Sequence, residues 1–399
     1  MKKIFYMVLL LLTCSIFISC SSNEENQGLI SVYLEGTNNN QAIEIYNFTD
    51  REMNLNNYSI CIYKIGTKED TPTYSIKLSG ILDAKKCYVV CNSLSDDALQ
   101  AKSNLKSSNL VFGGLEAVAL KFNNKVVDVI GTIGYRNNNK AYTLVRKLDL
   151  VTPSPTFDLY NYIIYGTNNY NYLGEFTASI TSDEYLAGPK FDLSLLNKDF
   201  ISPTNSKIGA GGAVEVELCK NVDGDTSWFK FPSSLEVESF VSQNNIEYHN
   251  GVHCCKVRYM SIDTQETMSN MIEEFGWPAK LKTAALQNKA DHIYVQSIDN
   301  NSLAGNYGRL LGYVYVANGN DSTMVNFEIV KAGYSDAAIV RDNEMTYKDA
   351  LIYGYLMNAD LYARRNHLGL YGEKDPYWDY DNNKSIYAKW GCLWKKRLV

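Results

Sequence analysis

The sequence predicts two domains, an all-β sandwich followed by a small α+β barrel. The length of 399 residues exceeds what one hydrophobic core usually fills. Short apolar runs with period-two alternation fill the first half, whereas longer apolar runs and then helical spacings fill the second. Hydrophobic residues make up 45% of the chain and charged residues 21%, a balance that excludes a largely disordered protein.

The first residues, "MKKIFYMVLLLLTCSIFISC", have a basic start, an apolar run and a small residue before Cys20. This pattern is typical of an export signal and not of a transmembrane span. It resembles a bacterial lipoprotein signal, which implies cleavage before Cys20 and attachment of lipid to that cysteine; cleavage without lipid is the alternative. We therefore expect a signal peptide at 1–19, a tether at 20–28, and an exported lipoprotein anchored in the bacterial envelope, at the outer membrane or cell surface.

Residues 29–178 contain closely spaced apolar runs such as "LISVYLEG", "QAIEIYNFT" and "YSICIYKIG". Their alternation predicts an antiparallel β-sandwich. Together with "VFGGLEAVALKFNNKVVDVIG", "AYTLVRK" and "YNYLGEFT", they resemble the lamin-tail domain family. The resemblance implies an immunoglobulin-like fold and a binding or spacer module of unknown ligand; we find no catalytic pattern in this half.

Residues 179–210 hold two of the eight prolines and end near a run of small residues, which predicts a linker. Residues 211–371 begin with strands and continue into three segments of helical pattern, "WPAKLKTAALQNKA", "NFEIVKAGYS" and "TYKDALIYGYLMNADLYARRNHLGLY". This order predicts a small α+β barrel. The aromatic-rich extension 372–399 could stack on nucleic-acid bases or fold back over the barrel.

Nine cysteines and four histidines show no zinc-like spacing. Seven cysteines remain after Cys14 and Cys20, so they cannot all pair, although an exported chain could form one or two disulfides. The neighbours Cys254 and Cys255 are expected to point to opposite faces of one strand.

Three polar segments of the second half are "VDGDT" at 222–226, "VRYMSIDTQET" at 257–267 and "NYGRLLGYVYV" at 306–316. Each has an ordinary explanation, and Asp-Gly between apolar runs predicts a hairpin turn. In this order, they resemble the thermonuclease, or staphylococcal-nuclease-like, family over 211–371. The resemblance implies a five-stranded OB-fold barrel with about three helices.

The resemblance also implies a catalytic site. Asp225, Asp263 and the carbonyl of Thr264 would hold Ca²⁺, a hard cation that prefers oxygen ligands. Glu266 would be the general base, and Arg258 and Arg309 would hold the scissile phosphate, because a guanidinium meets two oxygens at once. Tyr307 would contact the substrate. Gln265 stands where the family has proline, which predicts a looser loop.

We expect a Ca²⁺-dependent nuclease that cuts DNA and RNA, with single strands preferred, and leaves 3′-phosphate ends. Residues 207–399 carry 20 Lys and Arg against 24 Asp and Glu, so the domain is not a strongly basic nucleic-acid binder. The alternative is a lipoprotein that binds nucleic acid or another partner without cutting it. Binding without cleavage products would distinguish the two.

Overall fold

The computed structural model describes residues 25–139, 142–267, 272–337 and 347–386. The chain is rich in β-strands, has few helices and forms two regions with separate apolar cores. The expected signal peptide, Cys20 and the last residues of the extension lie outside the described residues. Within the described ranges, no helix is both long and apolar enough to cross a membrane.

The first region consists of two facing sheets. The strands are β1 (Gly28–Glu35), β2 (Gln41–Asn47), β3 (Met53–Asn54), β4 (Tyr58–Tyr63), β5 (Tyr74–Lys77), β6 (Ile81–Leu82), β7 (Cys87–Asn92), β8 (Leu105–Ser107), β9 (Ala117–Phe122), β10 (Lys125–Ile130), β11 (Thr143–Arg146) and β12 (Tyr162–Tyr165), and a short helix α1 (Asp97–Ala101) follows β7. Strand order is β12-β11-β1-β2-β7-β8 in the larger sheet and β10-β9-β4-β5 in the smaller. Ile30 and Ile43 from one sheet share a core with Ile60 and Val118 from the other.

A buried ion pair joins the two sheets. Arg146 of β11 and Asp128 of β10 are 1% and 2% exposed, and their N–O distance is 2.6 Å. Asp128 also accepts the N–H of Ile30 at 2.8 Å, and Arg146 donates to the Ile30 carbonyl at 2.9 Å. Buried charges persist when paired and hydrogen-bonded, so we interpret this pair as structural.

The expected linker is a packed connection. It contains α2 (Ser182–Leu186), a 3₁₀ turn (Leu193–Asn197) and a hairpin of β13 (Ile201–Ser202) and β14 (Asn205–Gly209). Tyr185 belongs to a core of the first region and Phe200 to the core of the second. The segment differs from an open tether because its apolar residues pack against both regions. Its Pro and Gly content alone does not predict this packing.

The second region contains strands β15 (Ala213–Asn221), β16 (Thr226–Lys230), β17 (Ile246–His249), β18 (Val252–Tyr259), β19 (Ile262–Thr264), β20 (His292–Gln296), β21 (Leu310–Asn318), β22 (Asp321–Met324), β23 (Ser335–Ala337), β24 (Trp378–Asp379) and β25 (Lys384–Ser385), with helices α3 (Gly276–Gln287), α4 (Val325–Lys331) and α5 (Tyr347–Arg365). Five of these strands pair in a closed ring, β15-β16-β18-β21-β20 and back to β15. Only the β18–β21 contact of the ring is parallel. The helices fall in the three segments of predicted helical pattern.

One disulfide spans the ring, between Cys219 of β15 and Cys254 of β18. Cys255, the next residue, is a buried free thiol in the core of the ring. The two neighbours therefore have different surroundings, as the alternation of a strand requires.

The described part of the extension folds back onto the start of α3. The Asp375 carboxylate, 3% exposed, accepts the N–H of Phe275 at 2.7 Å. The Tyr380 hydroxyl contacts the Glu274 carboxylate. Residues 372–386 therefore lie against the start of α3 in the second region.

Helix α5 packs against both regions. Tyr353 lies in the core of the sandwich, whereas Leu356 and Ala359 lie in the core of the ring. A Cβ on Gly354 would lie 2.6 Å from the Ile164 carbonyl oxygen of β12, so only glycine allows this approach. The two regions therefore share a helix, and experiments on the second region need the first.

A buried lysine lies at this shared surface. Lys147 is fully buried, donates to the Asn358 side-chain carbonyl at 3.1 Å and lies 3.9 Å from the Tyr160 ring centroid. The pKa of Lys147 is lowered to about 7, mainly by burial; the nearby Arg365 contributes in the same direction, while Asp149 and Asp158 oppose the shift.

We expect Lys147 to make stability depend on pH. Its pKa in the unfolded chain is about 10.4, so the unfolded state binds more protons between pH 7 and pH 10, and stability rises with pH across this window. Urea unfolding at pH 6.5 and 9 should show that the wild type gains stability relative to Lys147→Met at the higher pH. The exposed Lys125→Met is the control. A pH-independent difference between wild type and Lys147→Met would contradict the prediction.

Candidate active site

The turn that carries Asp225 joins β15 to β16. Asn221 pairs with Ser227, and the N–H of Val222 donates to the Thr226 carbonyl at 3.0 Å. The predicted Asp-Gly hairpin is therefore confirmed. A Cβ on Gly224 would lie 2.6 Å from the Cβ of Ala279 in α3, so the turn needs glycine for this close approach.

The carboxylate of Asp225 is buried and held on both oxygens. One oxygen accepts from the Thr264 N–H at 2.7 Å and from its hydroxyl at 2.9 Å, and the other accepts from the Thr226 hydroxyl at 2.9 Å. The Asp225 carbonyl accepts the N–H of Tyr259 at 2.8 Å. Asp225 and Thr264, 39 residues apart, are thus in direct contact.

Asp263 lies at the edge of the same site. Its strand, β19, pairs with β23, and its N–H donates to the Ser335 hydroxyl at 2.8 Å. Its side chain is 75% exposed, whereas that of Asp225 is 6% exposed. The Asp225 carboxylate is therefore buried, whereas the Asp263 carboxylate faces solvent.

Arg258 of β18 lies between these two carboxylates. One terminal nitrogen pairs with Asp225 and the other with Asp263. Burial lowers the pKa of Arg258, and the positive charge of Arg309 adds to that effect, while Asp263 and Asp223 raise it. Two carboxylates that converge on one positive group form an oxygen-rich position that suits a cation.

Two residues outside the predicted site also face it. Asp223, part of the predicted Asp-Gly turn, accepts the Asp225 N–H at 3.2 Å. Burial raises the pKa of Asp223, while the Thr226 hydrogen bond and the charges of Arg258, Lys280 and Arg309 lower it. Lys280 belongs to α3, and no local signal marks it, because it reaches the turn only through packing of α3 on Gly224.

Glu266 lies in the loop between β19 and α3. Its N–H donates to the Glu273 carboxylate at 3.0 Å, and its carbonyl accepts the Glu273 N–H at 2.9 Å. Partial burial raises the pKa of Glu266, and the negative charges of Asp223 and Glu273 add to this effect. A raised pKa suits a group that must accept a proton near neutral pH.

Arg309 precedes β21, which runs parallel to β18 with Leu311 beside Arg258. Its guanidinium lies 5.6 Å from the ring centroid of Tyr307, which is 79% exposed. Within the described ranges, no carboxylate oxygen lies within 4.0 Å of its side-chain nitrogens. Arg309 thus lies next to Arg258, and its positive charge is not paired with a carboxylate among the described residues.

The structure brings together the residues that the resemblance singled out. Contacts join four of them: Asp225, Arg258, Asp263 and Thr264. Glu266 and Arg309 both interact electrostatically with Arg258. Cys20 lies outside the described residues. No group of three or more His, Cys, Asp or Glu side chains is arranged as a metal site in the parts of the chain that the structure describes. A cation here would therefore rely on two carboxylates plus backbone and water oxygens.

One family model matches part of this chain. Residues 256–372 match the family model described as staphylococcal nuclease homologue. The match covers Arg258, Asp263, Glu266 and Arg309 and begins after Asp225. It indicates an OB-fold domain and nuclease-type hydrolase chemistry.

A protein of Methanocaldococcus jannaschii, described as uncharacterized, is 27% identical to this chain over 169 residues. The alignment covers 42% of this chain and 72% of that protein. Because that protein is described as uncharacterized, this similarity does not indicate an activity.

Proposed function

We propose that the chain is a Ca²⁺-dependent nuclease that hydrolyses phosphodiester bonds in DNA and RNA and prefers single strands. The observation that carries the proposal is the cluster of Asp225, Arg258 and Asp263 at one end of the ring, with Glu266 and Arg309 beside it. A site for phosphodiester hydrolysis needs a cation, a base and groups that neutralise phosphate charge. The cluster contains candidates for all three.

Asp225, Asp263 and the backbone carbonyl of Thr264 would hold the ion. The donors are all oxygens, and two of them already converge on a positive group, which fits a hard divalent cation. When bound, Ca²⁺ would supply positive charge to the phosphate oxygens and to a nearby water. Thr264 orients the Asp225 carboxylate through two hydrogen bonds.

Side chains of the site would carry out proton transfer and phosphate binding. Glu266 accepts a proton from the attacking water, the bond from that water oxygen to phosphorus forms, and the bond from phosphorus to the 5′-oxygen breaks. The 5′-oxygen takes a proton from solvent, and the other product ends in a 3′-phosphate. Arg258 and Arg309 hold the phosphate oxygens as charge builds up. Exposed Tyr307 offers a face on which an unpaired base can stack.

The test uses the mature chain, residues 20–399 with Cys20 replaced by serine. Single-stranded DNA and RNA should be degraded in Ca²⁺ to products with 3′-phosphate ends, and chelator should stop the reaction. A gel-shift complex without products would favour the binding lipoprotein instead.

Replacement of Arg258 by methionine should separate ion binding from cleavage. Because the guanidinium neutralises both proposed ligand carboxylates, its loss removes a competing cation and should tighten Ca²⁺ binding several-fold. Cleavage should nevertheless fall about 10²-fold, since a phosphate contact is lost. Calorimetric titration with Ca²⁺ measures the first effect and oligonucleotide cleavage the second.

Arg364→Met is the matched control for this prediction. Arg364 pairs with Asp360 at 2.8 Å and Asp336 at 3.1 Å and contacts neither proposed ligand carboxylate. Unchanged or weaker Ca²⁺ binding by Arg258→Met would contradict the prediction.

We also propose that the protein is exported and anchored through lipid on Cys20, and that the sandwich is a lamin-tail-like binding or spacer module. The disulfide between Cys219 and Cys254 supports export, because disulfides persist mainly in oxidising compartments. Fractionation of cells that produce the wild type and Cys20→Ser would test the anchor. Equal membrane association of both would contradict it.

A further inference from the structure

A segment between β16 and β17 lies against the loop that carries Tyr307 and Arg309. We call residues 231–245 the clamp segment. The N–H of Ser242 donates to the Gly308 carbonyl at 3.1 Å, and the Asn245 side-chain amide donates to the Tyr307 carbonyl at 2.9 Å. The clamp segment thus binds the backbone of both residues that directly precede Arg309.

Asn245 is itself held firmly. It is 4% exposed and ends a 3₁₀ turn, Gln243–Asn245. Its N–H donates to the Ser242 carbonyl at 2.8 Å, and its side-chain amide also donates to the Ser242 hydroxyl at 2.8 Å. A buried amide group with both its donors used has little freedom to move.

The contact with the Arg309 loop is close. Gly308 has a φ of +69°, and a Cβ at this position would lie 2.1 Å from the Ser242 hydroxyl oxygen. Within the loop, the N–H of Gly308 donates to the Gly305 carbonyl at 2.8 Å and that of Gly305 to the Arg309 carbonyl at 2.9 Å. The loop closes on itself, and the clamp segment fixes it to the ring.

Among the described residues, no ion pair holds the Arg309 side chain in place. Its neighbour Tyr307 is largely exposed. The direction of the guanidinium therefore depends on the backbone of its own loop. A movement of Gly308 would therefore move Arg309 as well.

We propose that Asn245, with the aid of Ser242, is a positioning residue that holds the Tyr307–Arg309 loop so that Arg309 meets the scissile phosphate. This role rests on the proposed nuclease function. Asn245 is not among the residues proposed to hold the ion or the phosphate, so it would act only through the loop. Displacement of a catalytic group by about 1 Å can cost about 10²-fold in rate.

The decisive variant is Asn245→Asp, which keeps the side-chain shape but presents a carboxylate oxygen to the Tyr307 carbonyl. With full-length mature chain, Ca²⁺ and a single-stranded oligonucleotide, kcat should fall about 10- to 100-fold, while Ca²⁺ affinity measured by calorimetry stays the same. Hydrogen exchange of the peptide 303–311 should become faster. Exposed Gln243→Ala, in the same 3₁₀ turn, should change none of these.

A second variant and a double-mutant cycle guard against a folding defect. Ser242→Ala removes an exposed hydroxyl and should give the same changes at smaller size. In an Arg309→Ala background, Asn245→Asp should lower kcat much less than in the wild type, because most of its effect on kcat passes through Arg309.

Each outcome decides the question. Unchanged kcat in Asn245→Asp, or an equal loss in the Arg309→Ala background, overturns the positioning role and leaves the nuclease standing. A wild-type chain that cuts nothing overturns the nuclease and this role together. Slower cleavage with faster exchange of residues 303–311 supports the role.

Discussion

Replacement of Glu266 by glutamine is expected to lower kcat by about 10²- to 10⁴-fold, the usual contribution of a positioned general base. Glutamine keeps the length of the side chain and can still accept a hydrogen bond from water. It cannot take up the proton that water must lose to attack phosphorus. Single-turnover cleavage of a single-stranded oligonucleotide at saturating Ca²⁺ measures this step.

Glu217→Gln is the control for this prediction, because Glu217 is an exposed carboxylate of β15 that pairs with Lys230 at 2.7 Å. Its replacement should change kcat only by a small factor. Calorimetry should show that Glu266→Gln binds Ca²⁺ as the wild type does, since Glu266 is not among the proposed ligands. Cleavage by Glu266→Gln at the wild-type rate would remove Glu266 from the mechanism.

Replacement of Arg309 by alanine is expected to lower kcat by about 10²- to 10³-fold, similar to the loss of one donor to a developing anion. The physical reason is that the Arg309 guanidinium, which pairs with no carboxylate among the described residues, would bind the phosphate oxygens most tightly in the transition state. Arg309→Lys keeps the positive charge but loses the planar fork, so it should recover only part of the rate. Steady-state kinetics should show the loss mainly in kcat.

Two results would contradict this prediction. Full activity of Arg309→Ala would show that the phosphate lies elsewhere, and complete rescue by Arg309→Lys would reduce the role of this residue to net charge. In both variants, hydrogen exchange of the neighbouring strand β21 should match the wild type, which separates a catalytic loss from unfolding.

Local patterns predicted the local features of the second region. The Asp-Gly pair of 223–224 predicted the hairpin that presents Asp225, because its central residues suit a tight turn. The helical spacings predicted α3, α4 and α5 within a few residues of their observed starts. The resemblance selected Asp225, Arg258, Asp263 and Thr264 together, and the structure places these four in contact.

Contacts between distant segments were not predictable in this way. The pairing of Cys219 with Cys254 needs strands β15 and β18 to lie on either side of β16. The approach of Lys280 to the Asp225 turn needs α3 to pack on Gly224. Neither hydrophobic periodicity nor turn residues carry this information, because each describes only a few neighbouring residues.

The sequence by itself determined the strand-rich halves, the Asp-Gly turn, the helical segments and the set of charged residues proposed for catalysis. Only the tertiary structure decided that the expected linker is packed, that α5 serves both cores, and that Asn245 holds the loop before Arg309. The physical reason is that alternation and helical spacing state which face of an element is apolar but do not state which other element covers it. In this protein, α5 covers both regions, and the clamp segment lies on the Arg309 loop.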